Sequence, residues 1–137
     1  MLDAVDKDLS LSIQNKTKRS LPKIRFDKIL EEVLGKEYEL SLVFTSTALS
    51  KKLNSTYRGK NNPTNILSFP LSKKSGEIFI DLTTASKEVK KFEMSFPKFI
   101  TYLFIHGLLH LKGMEHGYTM ERREKKLLNG ATNYSWY

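Results

Sequence analysis

The strongest constraint in this chain is a string of eleven residues, His106-Gly107-Leu108-Leu109-His110-Leu111-Lys112-Gly113-Met114-Glu115-His116, which holds all three histidines of a 137-residue protein. It begins inside the longest apolar run, Phe99 to Leu111. Apolar residues from Phe99 to Leu109 surround a helix almost completely, so this segment belongs at the centre of a core. Residues four apart on a helix lie one turn above each other, which allows His106 and His110 to present their imidazoles to one ion. On a continuing helix, His116 would lie about 9 Å further along and rotated about 240° from His110. The glycine at 113 removes that obstacle, because a left-handed residue there ends the helix and turns the chain back.

Cysteine is absent. Disulfide frameworks, thiolate metal sites and cysteine nucleophiles are thereby excluded, and imidazole is left as the soft ligand. Three neutral histidines with an open fourth position match the stoichiometry of catalytic zinc, one ion per chain, which acidifies water to a pKa of about 7. The formal net charge of +8 favours a polyanionic partner such as RNA, DNA or an acidic membrane surface. The N-terminus, Met1-Leu2-Asp3-Ala4-Val5-Asp6, carries no signal-peptide pattern, and the longest apolar run falls short of the roughly 20 residues a bilayer requires. These features lead to the expectation of a cytoplasmic protein without membrane contact.

Around the histidine helix the periodicity alternates between strand and helix. Leu9, Leu11 and Ile13 predict a strand with one buried face, and Ser20-Leu21-Pro22 predicts the start of a helix that Gly35 ends. Tyr38 to Phe44 reads as a second strand, and Thr47 to Tyr57 as a short helix burying Ala48, Leu49, Leu53 and Tyr57. A third strand through Ile66, Leu67 and Phe69 ends at Pro70, and after a polar connection Ile78, Ile80 and Leu82 form a fourth. A charged helix over Thr83 to Met94, the apolar helix after Phe96-Pro97 and a last helix from Met120 to Leu128 complete a mixed α+β architecture with about four strands. The aromatic tail, Tyr134 to Tyr137, is read as packed on the core, with base stacking as the alternative.

The histidine spacing matches the ligand frame of the metzincin peptidases, H-E-x-x-H-x-x-G-x-x-H, but Gly107 stands where those enzymes place their general base. Losing such a base costs typically 10² to 10⁴ in rate, which argues against peptide hydrolysis. The chain instead resembles the YbeY family. His106-Gly107, Leu109-His110-Leu111, Gly113 and His116 match its H-G-x-L-H-L-x-G-Y-D-H signature, with Met114 and Glu115 where Tyr and Asp are usual. Leu53-Asn54-Ser55-Thr56-Tyr57-Arg58 and Pro63-Thr64-Asn65-Ile66-Leu67-Ser68-Phe69-Pro70 match a second block, in which Asn65 replaces the usual Asp. Gly76-Glu77-Ile78 and Met120-Glu121-Arg122-Arg123-Glu124 extend the match, which runs from about Leu53 to Glu124.

The resemblance implies a single zincin-like domain over residues 1–137, with a mixed sheet and a central buried helix carrying the ligands His106, His110 and His116. It also implies a zinc-dependent endoribonuclease acting on single-stranded RNA, in 16S rRNA 3′ end maturation and ribosome quality control. The small ribosomal subunit and its proteins are the implied partners; DNA is not expected. Arg58 is expected to bind phosphate and stabilise the transition state, with Lys60, Arg122 and Arg123 as further RNA contacts. Glu115 is expected to hydrogen-bond an imidazole, and no general base is evident. Two other readings stay open: a ribosome-assembly factor whose metal is mainly structural, and a hydrolase of a small molecule or peptide.

Overall fold

A computed structural model describes residues 10–131. The elements run β1 (Leu11–Asn15), α1 (Phe26–Leu34), β2 (Glu39–Phe44), α2 (Thr47–Arg58), β3 (Ile66–Ser72), β4 (Ser75–Ile80), α3 (Leu82–Glu88), α4 (Phe96–Leu111) and α5 (Tyr118–Ala131), with a 3-10 turn over Val89–Lys91. The four strands form one mixed sheet in the order β1-β2-β4-β3. β1 and β4 pair parallel with β2, and β3 runs antiparallel to β4. This is the expected mixed α/β architecture, and its middle is α4.

Ser95 caps α4, accepting from the Lys98 N–H, and Pro97 sits in the first turn, where its missing N–H costs no bond. Phe99, Ile100, Phe104, Ile105, Leu108 and Leu109 are fully buried. Burying side chains of this size contributes about 1.5–3 kcal/mol each. The helix packs on α1, α3, β3, β4 and α5, and Phe104 meets Phe26 of α1 edge-on at 4.9 Å. Gly107 lets it approach the sheet: a Cβ there would come within 2.8 Å of Ile66 Cδ1 and Ser68 Oγ and 3.0 Å of Ile78 Cδ1.

Several elements depart from their sequence reading. Helix α1 begins at Phe26, because Leu21 and Ile24 pack on the core from a non-helical segment. Of the first strand's expected apolar positions, Leu9 lies outside the described residues, Leu11 is half-buried and Ile13 is 42% exposed on an edge strand. Helix α2 turns the expected face outward: Ala48 and Tyr57 are exposed, Leu49 and Leu53 half-buried, and Ser50 and Asn54 buried. Pro70 does not end β3, since an edge strand has a side on which no ladder bond is required. The expected polar connection shrinks to a turn between Ser72 and Ser75, and Leu82 opens α3 behind its cap Asp81. The tail Tyr134 to Tyr137 lies outside the described residues.

Candidate metal centre

Helix α4 ends in a Schellman turn. Gly113, at φ +100°, donates its N–H to the His110 carbonyl at 2.9 Å, and the Met114 N–H reaches the Leu109 carbonyl at 3.0 Å. Those two bonds reverse the chain just after His110 and bring His116 back over the helix end. The ring centroids of His106, His110 and His116 stand 4.5–5.0 Å apart. One nitrogen from each ring lies within 4.8 Å of the others.

Each helical imidazole is oriented by a hydrogen bond on its far side. His106 Nδ1 meets the carboxylate of Glu124, a buried residue of α5, and His110 Nδ1 lies 3.2 Å from the Met114 carbonyl. With the proton on Nδ1 in both rings, each Nε2 is left as a bare acceptor. These two Nε2 atoms face each other at 3.1 Å. Two lone pairs at that separation repel unless a cation lies between them, so the donor set fits a divalent ion. Burial first, then the neighbouring imidazoles His106 and His116, hold the His110 pKa below its ordinary value, which keeps it neutral and able to ligate.

The imidazoles open into a cleft of about 400 Å³ whose walls include Arg58, Asn65, Ser68, Phe92 and Tyr102. Arg58 is the last residue of α2, and Gly59, left-handed at φ +67°, turns the chain immediately after it. Asn54 Nδ2 donates to the Asn62 carbonyl at 2.8 Å and ties down the loop that follows. Among the described residues no carboxylate pairs with Arg58, so its guanidinium is available to an anion. At the cleft wall Asn65, which replaces the acid usual in the resembling family, donates from Nδ2 to Glu88 Oε1 at 2.7 Å. An aspartate there would face that carboxylate without a proton to offer. Ser68 Oγ donates to the Gly107 carbonyl at 3.2 Å.

The structure therefore gathers His106, His110, His116 and Arg58 into one cleft. It does not gather the rest. Lys60 is exposed beyond Gly59, Arg123 is exposed on α5, and Arg122 lies over the ring of Tyr118 beside a neighbouring depression. Glu115 is exposed, with no imidazole contact among the described residues; the carboxylate that backs an imidazole is Glu124. A signal for Glu124 existed in the sequence. It shares the inner stripe of α5 with Met120, Leu127, Leu128 and Ala131, and an acid in an apolar stripe requires a partner.

The sequence profile of the family described as Endoribonuclease YbeY matches residues 7–133, further in both directions than the motifs alone. Curated relatives carry the same description. The Rhizobium etli protein is 38% identical over 104 residues, 66% of this chain, and the match spans only 61% of that protein's length. The Persephonella marina protein is 35% identical, covering 73% of this chain and 68% of the relative, and the Ehrlichia chaffeensis protein is 35% identical over 86% and 84%. Among solved structures, the solution structure of TM1509 from Thermotoga maritima superposes with a TM-score of 0.63 at 28% identity, covering 88% of each chain. With the profile matched over nearly its whole length, a fold shared with TM1509 and a three-histidine centre at the end of its core helix, this chain belongs to the YbeY family.

Proposed function

We propose that this chain is a zinc-dependent endoribonuclease that cuts single-stranded RNA. Its setting is cytoplasmic, in maturation of the 16S rRNA 3′ end and in ribosome quality control, where it meets the small ribosomal subunit. Residues 1–137 act as one hydrolase domain. The observation that carries this reading is the pairing, in one cleft, of bare imidazole nitrogens with a guanidinium that no carboxylate among the described residues engages. The names of the curated relatives support RNA as substrate.

His106, His110 and His116 hold the ion, whose chemistry is Lewis acidity toward a phosphate oxygen and a water. Arg58 binds the phosphate, and its planar fork suits two phosphate oxygens at once as charge develops in the transition state. The left-handed turn at Gly59 and the Asn54 bond hold the end of α2 that presents it. Glu124 fixes the His106 tautomer from the far side of the ring. Position 107 offers no proton acceptor, and a Cβ there would press on the side-chain tips of Ile66, Ser68 and Ile78, which counts against the peptidase route.

Purified protein is expected to lose RNA cleavage on His110→Ala and on chelation. Arg58→Ala is expected to keep its metal and lose about 10²–10³ in rate, the usual cost of a transition-state donor. Cleavage that survives both His110→Ala and chelation overturns the reading. The bond between His106 of α4 and Glu124 of α5 supports a second reading, in which the ion mainly holds those helices together for an assembly role. That reading requires a metal-loaded Arg58→Ala protein to support rRNA maturation normally.

A further inference from the structure

The metal cleft has a neighbour. A second depression of about 390 Å³ has the aromatic rings of Phe92, Tyr102 and Tyr118 in its walls, together with two acidic and two basic residues of α5. Phe92 and Tyr102 line both hollows, so the two are contiguous. We propose that this depression is the subsite for the nucleobase adjacent to the phosphate held at the metal centre, with Tyr118 as its stacking surface. The proposal rests on the endoribonuclease reading and adds to it the way the strand is seated.

Three observations carry it. Tyr118 is 74% exposed and Phe92 44% exposed, so two large aromatic surfaces face solvent beside the catalytic cleft. The Arg122 guanidinium sits 5.5 Å from the centroid of the Tyr118 ring, a cation–π arrangement that steadies the ring and supplies positive charge beside it. Tyr118 follows His116 by two residues, which puts their Cα atoms at most about 7 Å apart, and Tyr102 lines both hollows, so a strand leaving the ion site passes directly to this one. Aromatic faces of this kind accept any base, because every base has a π-face.

The chemistry of the two hollows divides a nucleotide between them. Arg58 and the ion site take the phosphate. In the second hollow the carboxylates of Glu121 and the buried Glu124 are balanced by Arg122 and Lys125, so it lacks the concentrated positive charge of a phosphate site, while Glu121 can accept from the exocyclic amino group of a base. The position of Arg122 away from the metal cleft thus gains a role: it supports the ring on which the base stacks.

The test is equilibrium binding of a short single-stranded RNA to the metal-loaded protein, followed by fluorescence anisotropy, with cleavage assayed in parallel. Non-cleavable RNAs with all bases present are compared with RNAs in which one abasic nucleotide is moved along the strand. Tyr118→Ala, at an exposed position, is expected to weaken binding of the intact RNA about 5- to 150-fold. Tyr118→Phe, which keeps the ring, is expected to restore it. At one strand position the abasic lesion should weaken wild-type binding to a similar extent and leave Tyr118→Ala no weaker still. Unchanged affinity in Tyr118→Ala, or additive losses at every abasic position, overturns the subsite and leaves this face to a protein partner. Coupled binding without cleavage by the wild type would uphold the subsite and sink the endoribonuclease reading, whereas cleavage with no Tyr118 effect would do the reverse.

Discussion

Helix α4 supplies the cleft with two of its three imidazoles and helix α2 with its guanidinium, and the two helices are held by different forces. Helix α4 is gripped on nearly every side by apolar contacts, from Phe99 to Leu109. Helix α2 buries two polar side chains instead. Ser50 donates to Asp81 Oδ2 at 2.8 Å, Thr47 reaches Asp81 Oδ1 at 3.3 Å, and Asn54 holds the Asn62 carbonyl. Apolar packing is non-directional and shared among many neighbours, whereas a hydrogen bond fixes one geometry and fails when one partner is lost. The two helical imidazoles thus ride on the fold's general stability, and Arg58 on a few specific bonds.

The contrast breaks most severely at α4. Phe104→Ala should cost about 3–5 kcal/mol in urea unfolding, with the metal centre lost in the same transition; a cost below 1 kcal/mol would remove α4 from the centre of the stability argument. Asp81→Ala comes next, at about 2–4 kcal/mol by thermal melting, because it removes the buried carboxylate that Ser50 and Thr47 of α2 reach and uncaps α3, whose Thr84 N–H it accepts at 3.0 Å. Glu124→Gln should weaken metal binding about 10- to 100-fold in a competition titration, and wild-type affinity would detach Glu124 from the centre.

Asn54→Ala sharpens the comparison. It should cost only about 1 kcal/mol of stability, leave metal content intact and lower kcat/KM roughly tenfold by loosening the turn behind Arg58; equal kcat/KM would mean that Arg58 is positioned without it. The smallest effect is expected far from the cleft, at Asp27 of α1. Its hydrogen bond with Arg25 holds its carboxyl below the ordinary 3.8. The folded form therefore favours the ionised acid, and the resulting stability is present above 3.8 and lost as pH falls through the lower folded value. Asp27→Asn should flatten that acid limb by well under 1 kcal/mol, as exposed pairs do, without changing RNA cleavage.

What the sequence made legible follows from the same division of forces. Apolar periodicity reports burial, so α4, β2 and β4 could be placed from their patterns, and the glycine stop at 113 predicted the return of His116. Helix α2 misled because its buried face is made by partners distant in sequence: Ser50 and Asp81 are 31 residues apart, and nothing local announces their bond. The start of α1 misled because tertiary packing of Leu21 and Ile24 overrides a Ser-Leu-Pro start signal. The expectation of Glu115 as an imidazole's partner fails because adjacency in sequence is a poor guide once a turn intervenes. Glu115 points to solvent two residues past the turn, while α5 returns Glu124 to His106 from 18 residues away.

The packing of Gly107 sets a limit on what this cleft can become. The sheet comes so near α4 that even a Cβ at 107 would press on the side-chain tips of Ile66, Ser68 and Ile78. A change at 107 toward a peptidase base would therefore have to displace those tips first. Ile66 and Ile78 are buried, so the displacement falls on the core before any benefit to catalysis. The reaction available to the centre is bounded by clearance as much as by ligands.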